Sequence, residues 1–133
     1  MEYDKFWVIV GDRVSSTIQK LESGNFLHNL VHLTTVYGVA SVAYYAHDNP
    51  LMSDETFDQL CKHLDSQYAV AIMQGASEEV LDSDSLTAGT GFHLAHKEKL
   101  GWRGQQLYDI YDAIINGNRK AQKNVVAKKS NKE

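Results

Sequence analysis

The chain contains one proline, Pro50, and one cysteine, Cys61, in 133 residues. A lone cysteine excludes an internal disulfide framework. Cys61 falls on an apolar helical stripe, which predicts a buried core thiol in a reducing compartment. With a single proline, little interrupts helices along most of the chain. No apolar run approaches the ~20 residues of a membrane span, and the first residues lack the pattern of a secretory leader. The expectation is a cytoplasmic protein with no membrane association.

Several sites of known chemistry are also missing. There is no Walker A loop, no nucleophile elbow and no His-Glu-x-x-His pattern. His28 and His32 stand four apart and His93 and His96 three apart, but neither pair comes with a recognisable third or fourth ligand. No metal is predicted. Internal repeats and low-complexity segments are absent as well.

Charge is unevenly spread. Residues 1–118 hold 7 Lys/Arg against 16 Asp/Glu, a balance of −9, whereas residues 119–133 hold 6 against 1, a balance of +5. An acidic body argues against a large phosphate-binding surface. The basic end reads as a solvated, flexible tail whose contact with nucleic acid is weak at best. An apolar fraction of 43% with 23% charged residues is ordinary for a globular protein. The length suits one domain, taken as residues 1–118.

Periodicity predicts a mainly α fold. Lys5–Val10 is a short apolar run compatible with a strand or with the first turns of a helix. The spacing from Val10 to Leu21 favours helix from about Asp12. Ser23-Gly24-Asn25 breaks it. A long, largely buried helix is expected from Phe26 to about Ala46, then a second from Ser53 to about Gln67, the two forming an antiparallel hairpin. Tyr68–Gln74 is a brief apolar segment ended by Gly75. Ser77-Glu78-Glu79 is expected to cap a short helix reaching Leu81, and residues 82–85 to form a loop. A last helix, Arg103 to about Asn116, should end at Gly117 as its C-cap. The loop Gly89-Thr90-Gly91, within residues 87–93, is open to phosphate binding through its backbone N–H groups, but a structural turn is the favoured reading.

The most informative stretch runs from Tyr44 to Leu60. Asp48-Asn49-Pro50 should stop the first helix near His47, because proline disfavours helix in the residue before it. Ser53 or Asp54 can cap the next, with Asp54 and Glu55 at the positive end of its dipole. Phe57, Leu60, Cys61 and Leu64 follow at the spacing of a buried stripe. Asp54 and Asp58, four apart, project from one helix face. On spacing alone this is a helical hairpin with capping acids and core aromatics.

The same residues in order resemble a particular pattern. Tyr44-Tyr45, then Asp48-Asn49-Pro50, then Asp54-Glu55-Thr56-Phe57-Asp58-Gln59-Leu60 looks like the small helical N-terminal domain, Ia, of the bacterial NAD-dependent DNA ligases. The resemblance spans about 20 residues, or about 40 with the preceding helix. In that family the domain closes over the nicotinamide mononucleotide (NMN) half of NAD. The resemblance therefore implies Tyr44, Tyr45, Asp54, Phe57 and Asp58 as contacts to NMN or NAD. Phe57 stands where the family usually has tyrosine, so a hydroxyl contact is lost. A ligase also needs a nucleophilic lysine in Lys-x-Asp-Gly, which this sequence lacks. Alone, the chain should not seal DNA.

Three functions follow as expectations. The first is a stand-alone module that binds a nicotinamide nucleotide, as a sensor, a sequestering protein or a closing domain supplied in trans to a ligase-type partner. Oxidised nicotinamide is a flat cation that a tyrosine face attracts, and carboxylates at Asp54 and Asp58 can accept its hydrogen bonds. The second is a small acidic, phage-type inhibitor or adaptor that binds a host protein, in host cytoplasm, with the hairpin as scaffold. The third is an NAD-cleaving or nucleotide-processing enzyme acting between Tyr44–Asp58 and the 87–93 loop; no catalytic pair can be named, so it ranks last.

Overall fold

The computed structural model describes the backbone of residues 2–131 and the side chains of residues 6–117. Among the described residues the regular structure is entirely helical. It comprises α1 (Glu2–Glu22), α2 (Leu30–Ser41), α3 (Asp54–Ser66), α4 (Tyr68–Met73), α5 (Ser83–Thr87) and α6 (Trp102–Asn131). A π-helical turn, Val42–Ala46, continues α2, and two 3-10 turns, Phe92–Ala95 and Lys97–Lys99, precede α6. The mainly α fold expected from the sequence is the fold observed. No helix of the described residues is long and apolar enough to cross a membrane.

α2 is the central element. Leu33, Val36, Tyr37, Val39 and Ala40 are all at most 2% exposed, so apolar residues surround the helix. α1 and α6 pack along it and along each other, and α3 closes another side. Gly38 lets α2 approach α6: a Cβ there would lie 2.6 Å from Leu107 Cδ1. Gly11 does the same for α1, with a Cβ position 3.1 Å from Ile114 Cγ1. Val14, Ile18 and Leu21 of α1 meet Leu60, Cys61 and Leu64 of α3 and Leu107 and Ile110 of α6 in one core. Cys61 is fully buried; burial, and secondarily the nearby charge of Asp58, pushes its thiol up to about 12.

Several boundaries differ from expectation, each for a local reason. α1 begins at Glu2, not near Asp12, so Lys5–Val10 is helical. The long helix from Phe26 is shortened to Leu30, because the Asn29 side chain accepts hydrogen bonds from the amides of Val31 and His32 and caps it there. Ser77–Leu81 is a hydrogen-bonded turn rather than a helix, with the Val80 and Leu81 amides donating to Ser77 O. Residues 82–85, expected as loop, are the cap and first turn of α5: Asp82 Oδ2 accepts from Ser85 N at 3.0 Å and Ser85 Oγ at 2.7 Å. Gly117 is not a C-cap. α6 runs through it to Asn131, and nothing lies within 4 Å of a Cβ placed there. The side chains of the basic segment 119–133, and hence its expected touch on nucleic acid, lie outside the described residues.

α6 starts where a distant side chain completes it. The Glu79 carboxylate accepts hydrogen bonds from Gly101 N and, at 2.8 Å, from Gly104 N. It satisfies amides at the helix start that have no partner within the helix, and its charge sits at the positive end of the dipole.

Candidate functional site

The site is built at the joint between α2 and α3. After Ser41 the helix widens into the π turn Val42–Ala46, which changes the direction of the side chains it carries. The chain then turns sharply: Asp48 takes a left-handed φ of 50°, and the Asn49 amide returns to Ala43 O at 2.8 Å. Aspartate tolerates that conformation better than most residues. The turn is fastened to α6 by Asn49 Nδ2, which donates to Tyr111 Oη at 2.9 Å. The His47 ring also stacks on Tyr111, 4.3 Å between centroids and 10° between planes. Ser53 restarts the helix as N-cap, its Oγ accepting from Thr56 N at 3.2 Å. Of the two caps the sequence offered, Ser53 and Asp54, Ser53 is the one used.

This joint brings the two predicted tyrosines over α3. Tyr44 and Tyr45 lie 4.9 Å apart. Tyr44 is nearly parallel to Phe57, at 6.3 Å and 18°, and Tyr45 meets Phe57 edge-on at 6.4 Å and 68°. Phe57 stacks in turn on Tyr37 at 5.9 Å. The order is from inside to outside: Phe57 is 7% exposed and Tyr44 is 36% exposed. Phe57 is therefore the floor of an aromatic platform rather than its accessible face, and a hydroxyl at this position would sit in the core.

The carboxylates flank this platform unequally. Asp54, in the first turn of α3, faces Tyr44, and its negative charge raises the Tyr44 phenol above its ordinary value. Asp58 lies one turn further along, exposed, with Lys62 Nζ at 3.0 Å. Such an exposed i,i+4 pair contributes little stability and is readily exchanged for another cation. On its other side Asp58 meets the 87–93 loop: a Cβ on Gly89, which has φ of 71°, would lie 3.1 Å from Asp58 Oδ1.

That loop completes the site; the sequence joined it to Tyr44–Asp58 only in the last-ranked, enzymatic expectation. Gly91 lies so close to α2 that a Cβ would overlap Ser41 Oγ. Tyr37 Oη donates to Thr90 O at 2.7 Å, and Tyr108 Oη to Leu94 O at 2.8 Å. Phe92 then presents its ring edge-on to Tyr45 at 5.9 Å, with His96 at 5.5 Å beyond it. The amides of Gly89, Thr90 and Phe92 already donate within the loop, to Leu86 O, Ser85 O and Thr90 Oγ1. The Gly89–Gly91 turn is thus structural, and these amides are not free to hold phosphate. Phe92 carried no local signal beyond being an aromatic residue after a Gly-x-Gly turn.

The predicted site residues are therefore divided. Tyr44, Tyr45 and Asp54 come together on one open face, Phe57 supports it from beneath, and Asp58 borders it next to Gly89. His28 and His32 lie elsewhere, on the other end of α2. No group of three or more His, Cys, Asp or Glu placed to hold a metal occurs among the described residues. No protein-family model matches the chain, and neither a curated protein nor a solved structure does.

Proposed function

We propose that the chain is a binding module for the oxidised nicotinamide half of NMN or NAD, without ligase chemistry of its own. The observation that carries this reading is the cluster of Tyr44, nearly parallel to Phe57, and Tyr45, edge-on to it, with Asp54 beside the outer ring. An electron-rich ring face attracts a flat cation, and an adjacent carboxylate strengthens that preference while accepting hydrogen bonds from carboxamide or ribose. Phe92, edge-on to Tyr45, and His96 beyond it extend the face. The Tyr44–Leu60 pattern and its resemblance to ligase domain Ia point to the same ligand. Without Lys-x-Asp-Gly, the module is left to sense or sequester the nucleotide, or to act in trans as the closing domain of a separate catalytic core. Competition between NAD and NADH tests it, because only the oxidised ring is cationic. The reading predicts about tenfold preference for NAD; equal binding of the two would remove the cationic-ring basis of the proposal.

A second reading, a small acidic inhibitor or adaptor for a host protein, is favoured by a different observation. The outer face of α1 leaves Phe6 56% and Ile9 59% exposed, beside an apolar groove lined by Trp7, Val10, Val31 and Leu107. Exposed apolar surface of this kind marks protein contacts. Affinity capture with the intact chain and with a Phe6→Glu, Ile9→Glu variant separates the possibilities. A partner held by the first and lost by the second supports an adaptor; a partner held by both, or none, argues against it.

A further inference from the structure

Besides the Lys97, Lys99 and Arg103 group around the start of α6, the acidic body carries a second small group of positive charge on α1. Arg13, Ser16, Thr17 and Lys20 stand at i, i+3, i+4 and i+7 of α1 and so share a face. With His28, Asn29 and His32 they line a cleft of about 330 Å3 between α1 and the start of α2. Two of those seven residues, Arg13 and Lys20, are cations, two are histidines and none is acidic. Two of the seven Lys/Arg of residues 1–118 are gathered here, in a segment whose balance is −9.

These charges are not neutralised by neighbours. Neither Arg13 nor Lys20 makes an ion pair among the described residues, where Lys62 pairs with Asp58. The acids nearest in sequence are not in the cleft: Asp12 is not among its lining residues, and the Glu22 carboxylate accepts from Ser53 N at 2.6 Å. Burial lowers the His32 pKa, and the positive charges of Arg13 and His28 lower it further. Among the described residues, Arg13 and Lys20 thus share a cleft that no carboxylate lines. Thr17, only 6% exposed, fixes the wall through the 2.7 Å contact of its Oγ1 with His32 Nε2. Asn29 Oδ1 already takes the Val31 and His32 amides, so side chains and not the helix terminus would hold a ligand.

We infer that this cleft is an anion site, with Arg13, Lys20, His28 and the Ser16 hydroxyl grouped to hold a phosphoryl group. Guanidinium and ammonium supply charge-assisted donors, and the small hydroxyl adds a neutral one. The site is separate from the aromatic platform. Twelve residues separate His32 from Tyr44, about 18 Å of helical rise, too far for the phosphate of one mononucleotide to reach both. With NMN on the platform, the occupant of the cleft is a second ligand, either a free phosphate or a phosphate ester.

The test is titration of the full chain with inorganic pyrophosphate and, separately, with phenyl phosphate at low ionic strength, followed by the imidazole proton resonances of His28 and His32. We expect saturable binding that shifts those resonances and leaves His47 and His63 unmoved. Arg13→Gln and Lys20→Gln, both at exposed positions, should each weaken it about tenfold, while Lys62→Gln changes nothing. Binding of phenyl phosphate as tight as pyrophosphate would assign the site to an esterified group; pyrophosphate alone would assign it to the free anion. Absence of saturation, equal loss with Lys62→Gln, or binding indifferent to both Arg13→Gln and Lys20→Gln would overturn the inference.

Discussion

Tyr44 and Phe57 lie 6.3 Å apart with their planes 18° from parallel, although they belong to different helices joined by a turn. The relationship depends on the π turn at the end of α2 and on the Ser53 cap of α3, which together set the two rings nearly parallel. Asp54 then occupies the edge of the outer ring. Platform, charge and exposure are all products of one joint, and changes at the joint should be read there.

Replacing Asp54 with Asn removes the largest influence on the Tyr44 phenol, the nearby negative charge. The Tyr44 pKa should fall back toward the ordinary tyrosine value of 10.0. Spectrophotometric titration of Asp54→Asn against the parent, with Tyr44→Phe to identify the transition, measures it. An unchanged Tyr44 titration would place Asp54 away from the ring.

Gly91→Ala should destabilise the protein by about 1–3 kcal/mol, because the new Cβ overlaps the buried Ser41 side chain. Backbone conformation is not at issue, since the φ of −130° is open to any residue. Urea unfolding gives the loss, and the displaced loop should also shift the Phe92 ring resonances away from their native positions.

Much of this joint was legible in the sequence. Pro50 and a cap at Ser53 or Asp54 marked the turn, and the stripe Phe57, Leu60, Cys61, Leu64 is buried as its spacing required. What escaped were competitions that local pattern does not decide. Asn29 starts α2 because its side chain can cap, and no proline or glycine between Phe26 and Asn29 marks a break. Asp82 reads as one polar residue among several until Ser85 folds back onto it. Gly117 looks like a stop, yet a helix tolerates glycine for about 1 kcal/mol. The approach of Gly89 to Asp58 and of Phe92 to Tyr45 arises from contacts made through Tyr37 and Ser41, which no spacing in the 87–93 segment encodes.

Glu79 provides a long-range cap, so Glu79→Ala should lower stability by about 1–2 kcal/mol. Glu79→Gln, which keeps an acceptor and loses the charge, should fall between. Denaturant midpoints of the two variants check the order; equal stability of all three proteins would show that α6 needs no partner at its start.

His32 should make the fold sensitive to mild acid. Its folded pKa is lowered by burial and by Arg13 and His28, while the unfolded chain titrates near 6.5. The unfolded state therefore binds the proton first. His32's contribution is fully present above about pH 6.5 and is lost as pH falls through the folded value. Unfolding free energy measured from pH 8 to 5 should fall less steeply in His32→Gln than in the parent. An identical slope would contradict this.

The most direct measurement is isothermal titration of the full chain with NMN, using Asp54→Ala and Tyr44→Ala as controls. The account predicts one site with a dissociation constant near micromolar, about −8 kcal/mol. Both substitutions should weaken it at least tenfold while far-UV circular dichroism stays unchanged. No heat from the intact chain, or an affinity that neither substitution alters, would contradict the assignment of the Tyr44–Asp54 face as a nicotinamide site.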